Sequence, residues 1–325
     1  MSEILVVGGA GYIGSHVIIE LLEKKHKVVV LDDLSTGSKS AILGGSFYQG
    51  CMSDHTLLNQ IFTEHNISSV MLLAGDIDVN ESISHPSIYY NNNVANTLKL
   101  LDVMVKHQVL SLIFSSTAAI YKSHSNTLIS IESTDEPQNP YAKSKLMVEN
   151  ILKDYEKAYG LKHIIFRYFN AAGADPLVRI GYHEPATHLI PQVLKAASGR
   201  AHTLNIFGDD YNTLDGTCVR DYIHVMDLAS AHVLALKYLK EKKKSSLFNL
   251  GNGKGYSIKQ VSDTVKAVTK TNFNTEIKPR RAGDAAYVVA DATKAKEVLK
   301  WKPQYNSLED IINHSWAWEQ NKSWH

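Results

Sequence analysis

The chain has 325 residues, 44% of them hydrophobic and 21% charged, with a formal net charge of +1; this is enough for a large core and two lobes, and gives no charge reason to expect a nucleic-acid partner. Two cysteines, Cys51 and Cys218, exclude a disulfide framework and suit a reducing compartment. No apolar run approaches the twenty residues of a membrane span and no signal-like stretch precedes the first strand, so the expectation is a cytoplasmic protein with no membrane partner.

Ile4 to Val7 is a short apolar run of the kind that forms a strand buried on both faces. Gly8-Gly9-Ala10-Gly11-Tyr12-Ile13-Gly14 follows at once, and Ser15 to Lys25 then reads as a helix. Gly9, Gly11 and Gly14 fit G-x-G-x-x-G, and Gly8, Gly11 and Gly14 fit the looser G-x-x-G-x-x-G. Such glycines allow a tight turn and close backbone approach to a pyrophosphate, with the helix N-terminus facing the anion. Val28 to Leu31 makes a second strand that ends in Asp32 and Asp33. Asp32 lies near the spacing at which a carboxylate holds adenosine ribose hydroxyls, and a carboxylate there repels a 2′-phosphate. The cofactor expected is therefore NAD rather than NADP.

Further strands are predicted at Val70 to Leu73, Leu110 to Phe114 and His163 to Arg167, with helices over 54–65, 86–107 and 140–159. Alternating strands and helices predict an α/β fold with a parallel sheet covered on both faces. Ser115-Ser116-Thr117 follows the strand ending at Phe114, and Tyr141 and Lys145 share one helix face. A phenol is too weak a base near neutrality, but an ammonium beside it favours the phenolate. The pair is a candidate proton shuttle for a sugar or alcohol hydroxyl.

After Asn170 the texture changes: Gly173, Pro176, Gly181, Pro185 and Pro191 punctuate a loop-rich region, followed by helices over 225–241 and 257–270. This reads as a smaller lobe over the C-terminal edge of the sheet, with 218–240 left open to return to the first lobe. Lys240 to Lys244 reads as the solvated end of a helix. His183 and His188 share a segment with Glu184, but Pro185 interrupts it, and no metal site is expected.

Several runs together carry a resemblance over nearly the whole chain: Gly8–His16, Tyr89–Val94, Phe114–Thr117, Pro140–Lys145, Arg167–Asn170, His188–Pro191, Asp215–Val225, Phe248–Gly251 and Arg280–Asp284. The sequence resembles the UDP-glucose 4-epimerases of the extended short-chain dehydrogenase/reductase family. The resemblance implies a doubly wound Rossmann-like NAD-binding lobe at 1–172. It also implies a smaller C-terminal α/β nucleotide-sugar lobe at 173–325, and a homodimer built on two long helices. By position, Tyr141 resembles the catalytic base, Lys145 its pKa-lowering partner and ribose anchor, and Thr117 the hydroxyl that bonds the substrate oxygen. Gly8, Gly11, Tyr12, Ile13, Gly14, Asp32, Asp33, Ala74, Asn93, Ser115 and Tyr168 join Tyr141 and Lys145 as the implied NAD contacts. Asn170, His188, Leu189, Arg220, Arg281 and Asp284 are the implied contacts of a UDP-sugar, and Val288 lines the sugar pocket.

The chain also departs from the family pattern. Ile77 stands where the family usually has a lysine, between Asp76 and Asp78; Cys51 replaces an acid that meets the adenine; and Lys122 replaces a glycine. The implied reaction is epimerisation at C4 of a UDP-hexose through a 4-keto intermediate, on the glucose/galactose pair and the N-acetylhexosamine pair. Two alternatives are a nucleotide-sugar 4,6-dehydratase and a catalytically weak NAD- or UDP-sugar-binding protein. Dehydratases carry Asp-Glu after the threonine, where this chain has Ala118-Ala119.

Overall fold

A computed structural model describes residues 2–122, 127–183, 188–281 and 284–321. The chain starts with β1 (Glu3–Val7), whose last four residues are buried, then α1 (Tyr12–Glu23) and β2 (Lys27–Asp32). β3 (Ser46–Gln49), α2 (His55–Glu64) and β4 (Ile67–Leu72) continue the alternation. The helix expected over 86–107 is preceded by α3 (Val79–Ser84) and is itself three pieces: α4 (Pro86–Tyr89), a π-helical stretch Tyr90–Ala95, and α5 (Asn96–Lys106). The wider π turn departs from ordinary helical spacing, a feature often found at functional sites. β5 (Ser111–Thr117), α6 (Pro140–Tyr159) and β6 (Lys162–Tyr168) complete the first half.

The second half holds β7 (Asn170–Ala172), α7 (Leu189–Ala197), β8 (Thr203–Phe207), β9 (Val219–His224) and α8 (Val225–Lys242). β10 (Ser246–Leu250), β11 (Gly255–Ser257), α9 (Ile258–Thr269), β12 (Asn274–Lys278), β13 (Tyr287–Val288), α10 (Thr293–Val298) and α11 (Leu308–Asn321) follow.

Seven parallel strands form the main sheet in the order β10-β6-β5-β4-β1-β2-β3. The order reverses between β1 and β4, so a crevice opens outside the strand C-termini there. One face packs Val17, Ile18 and Leu21 of α1 with Leu228, Ala231 and Ala235 of α8. The other packs Leu58 and Ile61 of α2, Leu100 and Met104 of α5, and Val148 and Leu152 of α6. The chain therefore re-enters the large sheet with α8 and β10, because both carry apolar faces that only this sheet covers.

The smaller lobe has its own core, in which α7, α9 and α11 contribute Val193, Val261 and Ile311. β9 is its hub, pairing with β11, β13 and β7, while β8 pairs with β12. Among the described residues no helix is long and apolar enough to cross a membrane.

Candidate active site

β1 delivers the backbone to Gly8, which has φ +83 and would carry a β-carbon only 2.4 Å from Ala74 N. A β-carbon at Gly14 would lie 2.1 Å from Gly8 O. The loop can wrap this tightly only without side chains. Gly11 caps α1 with no side-chain acceptor, and no acid stands in the first turn. The N–H groups of Tyr12, Ile13 and Gly14 thus form a donor set suited to an anion.

Asp32 closes β2 beside this loop. Its Oδ2 accepts from Ala10 N at 2.8 Å and its Oδ1 from Leu34 N at 2.8 Å. Burial pushes its carboxyl up, and the two backbone donors oppose that. Asp33 is exposed and accepts from Ser35 N and Oγ instead. The tight cradle, the uncapped donors and the adjacent acid fit the pyrophosphate and ribose of NAD. The Tyr12 hydroxyl takes no part in that donor set: it donates to Gly173 O at 2.7 Å and ties α1 to the segment after β7.

The Tyr141–Lys145 pair depends on how α6 starts. Asn139 Oδ1 accepts from Ala142 N at 2.9 Å and Pro140 holds the first helical position, so Tyr141 falls in the first turn and Lys145 one turn later. β5 supplies the opposite wall. Lys145, 3% exposed, donates from Nζ to Ser115 O at 3.0 Å and lies over the Phe114 ring. The Thr117 hydroxyl opposes the rise of the Tyr141 phenol, and Thr117 Oγ1 accepts from Ala119 N at 3.1 Å. Tyr89 packs edge-on against the Tyr141 ring.

The electrostatics differ from the sequence expectation in one respect. Burial pushes the Tyr141 phenol up, and the group that opposes this is Thr117 rather than Lys145. Lys145 is turned toward Ser115 O, and its own burial pulls it down to about 8 while Asp76 opposes. In a dry pocket each group favours its neutral form until a further charge enters. Tyr168 also departs from expectation: its hydroxyl is directed into the core, where it bonds His232 Nε2 at 2.6 Å.

Asn93, placed by the π stretch, braces the loop after β4. Its Oδ1 accepts from Asp76 N at 2.8 Å, and its Nδ2 donates to Asp76 O at 3.1 Å and to Ser144 Oγ at 3.0 Å. The next residues, Ile77 and Asp78, turn into a cavity of about 640 Å³ between the lobes. Asn170, His188, Leu189, Arg220, Arg281 and Asp284 all line it. Arg220 faces Asp284 at 3.5 Å, and the Arg281 guanidinium lies 3.8 Å from the centre of the Phe207 ring. The cavity wall pulls the His188 imidazole down, and the Asp78 carboxylate opposes.

Tyr141 and Thr117 are not on the wall of this cavity, which Ile77 and Asp78 reach from the loop that Asn93 braces at Asp76. Sequence reasoning missed Asn205 and Phe207, which line it from β8. The alternation from Leu204 to Phe207, with Leu204 and Ile206 buried, was a usable strand signal. On β13, Val288 packs against the cluster of Ala118, Tyr121, Ile129, Phe169 and Ala290. Tyr287 points the other way, with its ring 3.6 Å from where a Gly255 β-carbon would lie.

Residues 4–251 match the model of the NAD dependent epimerase/dehydratase family. A UDP-glucose 4-epimerase of Halalkalibacterium halodurans is 48% identical over 318 residues, 98% of this chain and 95% of the relative. The chain belongs to this family. The crystal structure of UDP-glucose 4-epimerase from Brucella ovis in complex with NAD superposes with a TM-score of 0.95 at 42% identity, covering 98% of each chain. A UDP-Glc/GlcNAc 4-epimerase from Campylobacter jejuni superposes with a TM-score of 0.86, also at 42% identity, over 99% of this chain and 100% of that one.

Proposed function

We propose that this protein interconverts UDP-glucose and UDP-galactose by NAD-dependent epimerisation at C4 through a 4-keto intermediate, and that it also accepts the N-acetylhexosamine pair. The observation that carries the reading is the meeting of Tyr141, Thr117 and buried Lys145 beside the glycine loop, next to a cavity lined by two arginines.

Bound NAD supplies a hydride acceptor and donor for the sugar C4, and in its oxidised form a positive charge that favours the phenolate. The N–H groups at the start of α1 would hold its pyrophosphate, and Asp32 would hold the adenosine ribose. Tyr141 takes the proton of the sugar 4-hydroxyl and later returns it on the other face, while Thr117 holds the same oxygen. Arg220 and Arg281 grip the diphosphate, since a planar guanidinium can bond two phosphate oxygens at once. Phe207 offers a ring face for the uracil, and Asn170, His188, Leu189 and Asp284 complete the nucleotide site. The oxidised sugar would then be held chiefly by its UDP handle, which would leave it able to turn between the two proton transfers at Tyr141.

Ala118 and Ala119 after Thr117 offer no acid–base group for eliminating water, which speaks against a dehydratase. The deciding experiment follows UDP-galactose to UDP-glucose, with the cofactor released by acid and identified by chromatography. Turnover with NAD in the released fraction supports the reading. NADP in that fraction sinks the assignment of Asp32, and bound NAD without turnover favours a binding protein.

A homodimer through α5 and α6 is part of the same reading. Met147 (45% exposed) and Tyr159 (51% exposed) are large hydrophobic side chains left uncovered on α6. Sedimentation velocity on the wild type and on Met147→Glu tests it.

A further inference from the structure

Asp221 lies on β9 next to Arg220 of the cavity wall, and it is fully buried, at 0% exposure. Neighbouring side chains on a strand point to opposite faces, so its carboxylate points away from the Arg220 side. A carboxylate so covered needs donors. Three backbone N–H groups supply them, from two separate segments. Oδ1 accepts from Asn252 N at 2.8 Å, and Oδ2 accepts from Gly253 N at 2.9 Å and Ala290 N at 3.1 Å. Gly251 leaves room for this meeting: a β-carbon there would lie 2.6 Å from Oδ2 and 2.5 Å from the Ala290 β-carbon.

The bond to Ala290 bears on β13. That strand pairs with β9 at only two residues, Tyr287 on Val219 and Val288 on Arg220, so the ladder by itself holds the register weakly. Beyond the ladder the backbone alternates between two partners. Val289 O accepts from Ile129 N at 2.8 Å and Asp291 N donates to Ile129 O at 2.8 Å, while Ala290 N between them turns to Asp221. A slip of one residue would turn that N–H away from the carboxylate and exchange the faces of Val288 and Tyr287. We propose that Asp221 is a positioning residue for sugar selection: its carboxylate, through the Ala290 amide, fixes the register of β13 and so keeps Val288, not Tyr287, on the side of the Ala118 cluster. The inference rests on the epimerase reading above, with Val288 lining the sugar pocket.

The test compares NAD-loaded wild type with Asp221→Asn, whose side chain keeps only one acceptor oxygen. Asp221→Ser serves as a second variant should Asp221→Asn misfold. Backbone hydrogen exchange is followed over 285–291, and kcat/KM is measured for UDP-galactose and UDP-N-acetylgalactosamine. Exchange at the Ala290 amide should quicken by about tenfold or more in the variant. The ratio of acetylated to plain sugar should fall by about threefold or more, since the slipped register brings in the larger side chain. In a Val288→Tyr background the change at Asp221 should leave that ratio where it is, because either register then presents a tyrosine. An unchanged ratio in a folded Asp221 variant of an enzyme that takes both sugars overturns the proposal, and so does an equal fall in the Val288→Tyr background. A wild type that ignores the acetylated sugar sinks the substrate reading instead, and exchange then decides the register. It also decides where neither variant folds: a wild-type Ala290 amide that exchanges as fast as an exposed loop amide overturns the proposal, and a protected one upholds it.

Discussion

Glu149 and Arg167 form a buried, two-pronged ion pair beneath the candidate site, with Arg167 Nε 3.0 Å from Oε1 and a terminal nitrogen 2.7 Å from Oε2. Both are almost fully covered, at 0% and 3% exposure. Ser116 Oγ donates to the same Oε1, and Arg167 also grips Asp135. The pair thus anchors β6 to α6, and the Ser116 bond ties β5, which carries Thr117, to the same carboxylate on the helix that carries Tyr141. Arg167→Ala should cost about 3–5 kcal/mol because it strands a buried carboxylate. Replacing both with apolar residues should cost less than the single change. Denaturant midpoints of the wild type and the two variants check this; a mild Arg167→Ala would mean that water reaches Glu149.

Tyr141→Phe keeps the ring that packs on Tyr89 and removes the hydroxyl. Turnover of UDP-galactose should drop by roughly 10²–10⁴-fold, the scale of a positioned acid–base group, with little change in thermal stability. Lys145→Met should slow the reaction and move the pH optimum upward, since the phenolate loses its cation. Near-wild-type turnover in Tyr141→Phe would rule out the assignment.

Val288 packs against the cluster that contains Ala118, the residue after Thr117, while Tyr287 faces Gly255, so the smaller of the two is on the side of β5's end. Wild type should act on UDP-N-acetylgalactosamine as well as UDP-galactose. Val288→Tyr should lower kcat/KM for the acetylated sugar by about tenfold or more while sparing the other, because rejection here is steric. An unchanged ratio of the two kcat/KM values would place the sugar elsewhere.

Three fully buried histidines set the acid stability. Burial pulls His16 and His232 down to about 4 and His224 to about 2. The unfolded chain binds protons at these groups below about pH 6.5 while the folded chain does not, so stability falls as pH drops through that value. Each adds a slope of up to about 1.4 kcal/mol per pH unit. Asp221 works the other way. Burial raises its carboxyl to about 6, so its contribution favours the folded state at acid pH and is lost as pH rises toward 6. The net expectation is a decline from pH 6.5 to 4, and His232→Gln should flatten it by about one proton's slope. Urea midpoints at pH 7, 6 and 5 in saturating NAD measure it; an identical slope in the variant would show that His232 titrates normally.

The sequence by itself determined the parallel sheet, the glycine loop, Asp32 beside it and the one-turn spacing of Tyr141 and Lys145. These follow from short-range rules: apolar runs make buried strands, glycines permit a cradle, and residues four apart share a helix face. The tertiary structure alone decided which side chains those elements meet. β10 joins the large sheet from far along the chain because its apolar run is covered only there. The π stretch puts Asn93 on Asp76 and on Ser144, across three separate segments. Phe207 reaches the cavity and Tyr168 turns to His232 by packing that no local pattern encodes. Protonation belongs to this second class, since burial depends on every layer around a group: the Tyr141 phenol rises and the Lys145 ammonium falls because the whole fold closes over them.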